Sequence, residues 1–255
     1  MVYELGVDIT VPITALPPDS KVLEMLWIRP GVFMMGSPAD EPGHSYEDTL
    51  PFEVTLTKGF WLSKYPITQA QYRVVMDNNP SHIIGTSIDC PVENVSWHDA
   101  IAFCEVFNKQ LASDLPEGYL FSLPTEAQWE YTCRADAQVD YRKGINPKEL
   151  SKRAWHKKNS HGKTHPVGEK QPNPWGLYDM LGNVMAWCFD APSEYPRDPT
   201  IDWVGNGDTS FRTMRGSAWS APPSAVDFRC SASGYAEPET KRPWFGFRLS
   251  IRAIH

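Results

Sequence analysis

The stretch that most constrains this chain is Pro172 to Trp187, PNPWGLYDMLGNVMAW. Pro172, Pro174 and Gly176 break any regular element in its first half, and Gly182 and Asn183 interrupt the apolar run of its second half. Gly and Asn tolerate positive φ, so the segment folds back as a tight loop with carbonyls turned inward, flanked by short strands. Inward carbonyls and the carboxylate of Asp179 suit a hard cation, and an aromatic-rich structural loop holding no ion accounts for the same residues.

Regular structure is concentrated before this loop. LEMLWI (23–28), GVFMMGS (31–37) and FEVTLT (52–57) read as strands, the last alternating apolar and polar as a half-buried strand does. Pro38 to Thr49 between them is polar and reads as a solvated loop, its acids and His44 included. After a short strand within Gly59–Pro66, Thr68 caps a helix with Tyr72, Val75 and Met76 on one face. Ser96 and Asp99 form a capping box for a second helix, and Thr125 with Gln128 one for a third. Three early helices followed by loops and short strands make an α+β layout rich in irregular structure. Residues 1–22, proline-rich, are expected as an extended N-terminal arm and 23–255 as a single domain, because no Gly/Ser-rich or charged linker interrupts them.

Net charge is −7 with pI near 5.5, which argues against nucleic acid or an anionic membrane surface as partner. No run approaches the roughly 18 apolar residues of a membrane span, and no export signal is visible, so a cytoplasmic location is expected if the chain is complete. Five cysteines, Cys90, Cys104, Cys133, Cys188 and Cys230, contain no CxxC pair. Cys104 lies in the apolar stripe of the second helix and reads as a buried thiol. His156, His161 and His165 cluster in sequence, but Gly162 and Pro166 break the helix that would align them on a metal. Residues 191–210 form a turn-rich excursion, after which Arg212 to Arg252 returns as strands around an irregular loop from Trp219 to Phe245, with Phe228 in a strand.

The 172–187 stretch resembles the GLYDM-GNVWEW signature of the formylglycine-generating enzyme family, the sulfatase-modifying factors, whose fold is a variant of the C-type lectin fold. Further matches follow in the family's order: Phe33–Gly36, Pro66-Ile67-Thr68 with Gln71-Tyr72, Pro91–Trp97, Leu123–Tyr131, Arg215-Gly216-Ser217 and Gly246-Phe247-Arg248. They span about residues 30–250. The family houses oxidases, other oxidative tailoring proteins and binding domains, so the fold does not choose the activity.

Members that oxidise a target cysteine to formylglycine bind copper(I), a soft ion, through two thiolates three and eight positions beyond a serine that matches Ser217. Those positions hold Ser220 and Ala225 here, and neither carries sulfur, so copper chemistry is not expected. The resemblance makes Cys133 and Cys230 a structural pair, and it leaves Cys104 free because the partner position holds Leu249. It implies a calcium loop built from Asp179, the carbonyls of Gly182 and Val184, and a glutamate replaced here by Ala186. Met185 stands where the family usually has tryptophan. A second calcium site would use Asn159, the carbonyl of His161, Ala154 and Trp155. Calcium is therefore the cofactor the resemblance allows, through Asn159 and Asp179, each in a depleted site.

Three functional readings stay open. In the first, the chain is a module that binds a protein, peptide or small-molecule ligand through Trp219, Tyr235 and Trp244, with Phe228 and Phe245 nearby. In the second, it is an oxidoreductase of altered chemistry acting on a peptide or small molecule, with Ser217, Ser220, Asp227, Arg229 and Tyr235 along one cleft. The third is the variable ligand-binding protein of a diversity-generating retroelement. Adenine mutagenesis of AAY codons does not produce the Glu237, Glu239, Lys241 and Trp244 of this loop, which the third reading must treat as unvaried positions.

Overall fold

The computed structural model of the chain describes residues 2–44, 50–84, 87–135, 147–224 and 227–254. In chain order they form β1 (Ile9–Val11), β2 (Leu23–Ile28), β3 (Gly31–Met35), β4 (Phe52–Leu56) and β5 (Phe60–Ser63). Helices α1 (Gln69–Met76) and α2 (Trp97–Leu111), strand β6 (Tyr119–Ser122), and helices α3 (Glu126–Arg134) and α4 (Pro147–Arg153) follow. The second half supplies β7 (Met185–Trp187), β8 (Thr200–Ile201), β9 (Arg212–Arg215), β10 (Ser233–Ala236), β11 (Phe245–Phe247) and β12 (Ser250–Ala253).

These elements make an α+β fold of three small sheets. A five-stranded antiparallel sheet runs β1-β2-β5-β12-β6, a four-stranded one β10-β9-β7-β11, and a three-stranded one β3-β4-β8. The N-terminal segment is built into the first sheet, with Ile9, Thr10 and Val11 opposite Met25, Glu24 and Leu23. Terminal strand β12 sits between β5 and β6, so the two ends of the chain share one sheet.

Helix starts follow from side-chain chemistry. Thr68 Oγ1 accepts the Gln71 N–H at 3.2 Å while Gln71 Oε1 accepts the Thr68 N–H at 3.0 Å. Ser96 with Asp99 (3.1 and 2.9 Å) and Thr125 with Gln128 (3.1 and 3.0 Å) repeat this arrangement. Each cap satisfies N–H groups that the first helical turn leaves unpaired, typically for about 1 kcal/mol. Helix α4 has no counterpart in the sequence reading. Leu150 is the one buried apolar side chain among those described in it, so no periodicity announces the helix.

Two apolar cores result. One packs Trp61, Phe103, Phe107, Phe121 and Phe247 between α2 and the five-stranded sheet, with Tyr72 stacked on Phe103 at 5.7 Å. The other gathers Phe52, Trp129, Leu177, Cys188 and Phe228 around α3. Phe228 is buried there, edge-on to the His156 ring at 6.0 Å, and it lies in a bend rather than the expected strand. The strand of that region is β10, inside the stretch expected to be irregular, where Ser233–Ala236 pair with Arg215–Arg212. Residues 220–224 and 227–230 are held by turn hydrogen bonds, side-chain contacts and the disulfide, none of which a hydropathy pattern reports.

Candidate functional site

The 172–187 loop is the scaffold of the site. Asp179, Gly182 and Asn183 all adopt positive φ, at 51°, 80° and 60°. A Cβ on Gly182 would lie 2.4 Å from the Trp155 carbonyl oxygen, so only glycine permits that approach. Fully buried Asn183 accepts the His165 N–H at 3.1 Å and donates to the His165 carbonyl at 3.0 Å. The loop's backbone then reaches across. Gly182 N–H donates to Gly216 O at 2.6 Å, and Asn183 O accepts the Trp219 N–H at 3.0 Å. Gly216 (φ 96°) and Ser217 (φ 59°) are consecutive left-handed residues that turn the chain sharply at the end of β9.

That turn opens a cleft of about 320 Å³. Ser217, Ser220, Asp227 and Arg229 all line it, with Trp244, Met185, Ala232 and Ser233 among the other lining residues. Ala225 lies outside the described residues. Of the aromatic residues expected to contact a ligand, Trp244 is in the cleft. Half-buried Trp219 spends its indole N–H on the Pro243 carbonyl at 2.9 Å and is not part of the lining. Tyr235, 66 % exposed, stands outside on β10, edge-on to Phe211 at 5.4 Å.

The cleft rests on two buried charge networks. Arg215, fully buried, donates through Nε to Glu126 Oε1 and through Nη2 to Glu130 Oε2 and Tyr195 Oη, all at 2.9 Å. Its Nη1 donates to the Cys230 carbonyl at 2.7 Å, which ties the cleft segment to α3. Burial works against the guanidinium charge, but Tyr195, Glu126 and Glu130 outweigh it and hold its pKa well above the ordinary value. In the second network Arg229 Nη1 donates to Ser37 Oγ at 2.9 Å and to Glu41 at 3.4 Å, and the Ser231 hydroxyl also donates to Glu41. Glu41 is therefore buried, in a segment the sequence presented as solvated, with three polar partners on Oε2 offsetting part of its desolvation while Oε1 has none among the described residues. Nothing local marks it, since its arginine lies 188 residues away.

Cys133 and Cys230 form a disulfide between α3 and the cleft segment, Cα–Cα 5.6 Å. Cys104 is free and buried, and burial pushes its thiol pKa up. The three histidines do not converge on a metal. His156 Nε2 pairs with Ser151 Oγ at 2.9 Å, and His165 stacks on Trp155 at 3.7 Å with Nε2 on the Ser160 carbonyl at 2.8 Å. No group of three or more His, Cys, Asp or Glu arranged for a metal occurs among the described residues.

The geometry of the two resemblance-derived calcium loops is also specific. Asp179 is buried, with Oδ2 on the Gly168 N–H at 2.8 Å and Oδ1 lacking a hydrogen-bond partner among the described residues. Burial raises its pKa, opposed by that N–H and by the charge of Arg248. Lys170, whose ammonium lies 3.8 Å from the centroid of the Trp155 ring, is a second nearby cation. Ala186 presents a methyl in β7. At the other loop Asn159 closes on itself, Oδ1 on the His156 N–H (2.7 Å) and Nδ2 on the Ala154 carbonyl (3.0 Å).

Comparison with known proteins gives a match of residues 14–253 to the model of the sulfatase-modifying factor enzyme 1-like domain. The chain belongs to this family. Among curated relatives of this sulfatase-modifying factor-like protein are the chaperone protein LppX of Paenibacillus barcinonensis, 29 % identical over 69 % of this chain and 73 % of that protein, and the formylglycine-generating enzyme of Streptomyces coelicolor, 30 % identical over 63 % and 52 %. It spans about half the length of the formylglycine-generating enzymes it matches. Among solved structures, Treponema denticola variable protein 1 superposes with a TM-score of 0.83 at 27 % identity, covering 97 % of this chain and 99 % of that one. The fold is thus the formylglycine-generating-enzyme variant of the C-type lectin fold. No helix among the described residues is long and apolar enough to cross a membrane.

Proposed function

We propose that this chain is a ligand-binding member of the family that does not perform copper-dependent cysteine oxidation. The observation that carries this reading is the lining of the cleft. Ser220 presents a hydroxyl where the oxidases present a thiolate, and the sulfur of nearby Cys230 is committed to Cys133. The remaining sulfur on the wall is the Met185 thioether, a single neutral donor, whereas copper(I) is held by paired thiolates in the oxidases. What persists is a preformed concave site with hydroxyls, a carboxylate and an indole, the mixture typical of small-ligand or side-chain pockets. In this reading neither family calcium loop is a metal site. Asp179 already lies in the field of Arg248 and Lys170, and Asn159 satisfies its own loop.

The variable-protein reading is favoured by the likeness to Treponema denticola variable protein 1 across nearly the whole of both chains. It keeps the same cleft and places sequence variation on its rim. The oxidoreductase reading has less support, because Asp227 accepts the hydroxyl of Ser224 at 2.5 Å rather than pairing with Ser217 or Ser220. A fragment screen by saturation-transfer NMR tests the proposal. Ligands displaced by Ser220→Trp support it, and ligands indifferent to that change refute it.

A further inference from the structure

We infer that the cleft recognises a cation, an ammonium or guanidinium group on a flexible stem such as a lysine or arginine side chain of a peptide. This rests on the cleft being the ligand site. Two ionic residues, Asp227 and Arg229, appear in the lining, and formally they cancel. In space they do not. The Arg229 side chain is buried and its Nη1 turns to Ser37 and Glu41, so its charge is matched beneath the wall. Asp227 is half-exposed in the lining, its Oδ2 accepts the neutral Ser224 hydroxyl, and no cation pairs with its carboxylate among the described residues. Lys241, the lysine nearest in sequence to Trp244, is committed to Asp99 at 2.7 Å.

Around that carboxylate the other groups also favour a cation. The half-buried Trp244 indole offers an electron-rich face, and Met185 gives an apolar bed for a methylene stem. Ser217 and Ser220 add acceptor lone pairs for N–H donors. The net charge of −7 favours the encounter of such a ligand with the protein. An anionic ligand would meet Asp227 and find no uncommitted positive group in the lining.

The test is a titration of ¹⁵N-labelled protein with four capped tripeptides, acetyl-Gly-Xaa-Gly-amide, where Xaa is lysine, arginine, norleucine or glutamate. Amide shifts at Ser217, Ser220 and Ser233 and the Trp244 indole are read. Lysine or arginine should bind there at least about tenfold tighter than norleucine, the yield of one charge-assisted hydrogen bond. Asp227→Asn should remove that advantage, bringing lysine and arginine to within about twofold of norleucine on the same variant. If norleucine or glutamate binds the cleft as well as lysine, or Asp227→Asn leaves the preference intact, the cationic class is overturned and the cleft remains a binding site. If no tripeptide perturbs these residues, the cleft reading fails and this inference with it.

Discussion

Replacing Arg215 by methionine tests whether the cleft stands on its buried ion network. The substitution keeps a long apolar stem but removes a guanidinium that serves Glu126, Glu130, Tyr195 and the Cys230 carbonyl. Glu130 is partly insured, since Arg134 donates to it at 2.6 and 2.8 Å and the Gly36 N–H at 2.9 Å. Glu126 is not, because among the described residues its carboxylate keeps only the hydroxyls of Ser233 and Tyr195. Breaking one side of a buried pair typically costs about 3–5 kcal/mol through the charge left behind, a large share of the roughly 5–15 kcal/mol that holds a domain together. With a urea m-value near 3 kcal/mol/M, the midpoint of unfolding should fall by about 1–1.7 M. Adding Glu126→Gln removes the stranded charge and should restore at least half of the loss. A single variant within about 1 kcal/mol of the parent, or a double variant no better than the single, would refute the reasoning.

The remaining predictions concern the crosslink and a buried acid. The Cys133–Cys230 bond closes a 97-residue separation, and loop-closure entropy assigns such a crosslink up to about 4.7 kcal/mol, so Cys230→Ser should lower unfolding free energy by about 2–5 kcal/mol in equilibrium denaturation. Glu93, fully buried, has its pKa raised from 4.5 to about 7 by burial, against the hydrogen bond from the Ile83 N–H at 2.6 Å. The folded state then holds the proton more tightly than the unfolded chain, so Glu93 contributes its full stability below about pH 4.5 and loses it as pH rises through 7. Glu93→Gln should therefore flatten the decline of the urea midpoint between pH 5 and 8. An unchanged slope would show that Glu93 ionises without penalty.

Local chemistry was legible and long-range chemistry was not. The Thr68 cap and the Ser96–Asp99 and Thr125–Gln128 capping boxes are written in four-residue windows, and the loop at Gly182-Asn183 in a pair of residue types, so both read directly from the sequence. Pairing of Cys133 with Cys230 followed from resemblance, since spacing alone leaves every combination of five cysteines open. Glu41 looked solvated because its partners Arg229 and Ser231 are 188 and 190 residues distant. Tyr235 and Trp219 stand out in the sequence by residue type, and neither joins the lining of the cleft: Tyr235 is exposed beside it and the Trp219 indole N–H is engaged by the Pro243 carbonyl. Met185 and Ser233 were missed as wall residues because they lie at strand ends whose pairing the sequence does not display.

The most direct test of the central claim is a turnover assay with copper(I), oxygen and a CxPxR peptide, products read by mass spectrometry. Unmodified peptide after prolonged incubation, with no cuprous ion retained on the protein after desalting, is the predicted result. Conversion of the cysteine to formylglycine would contradict the assignment of Ser220 and the cleft to binding alone.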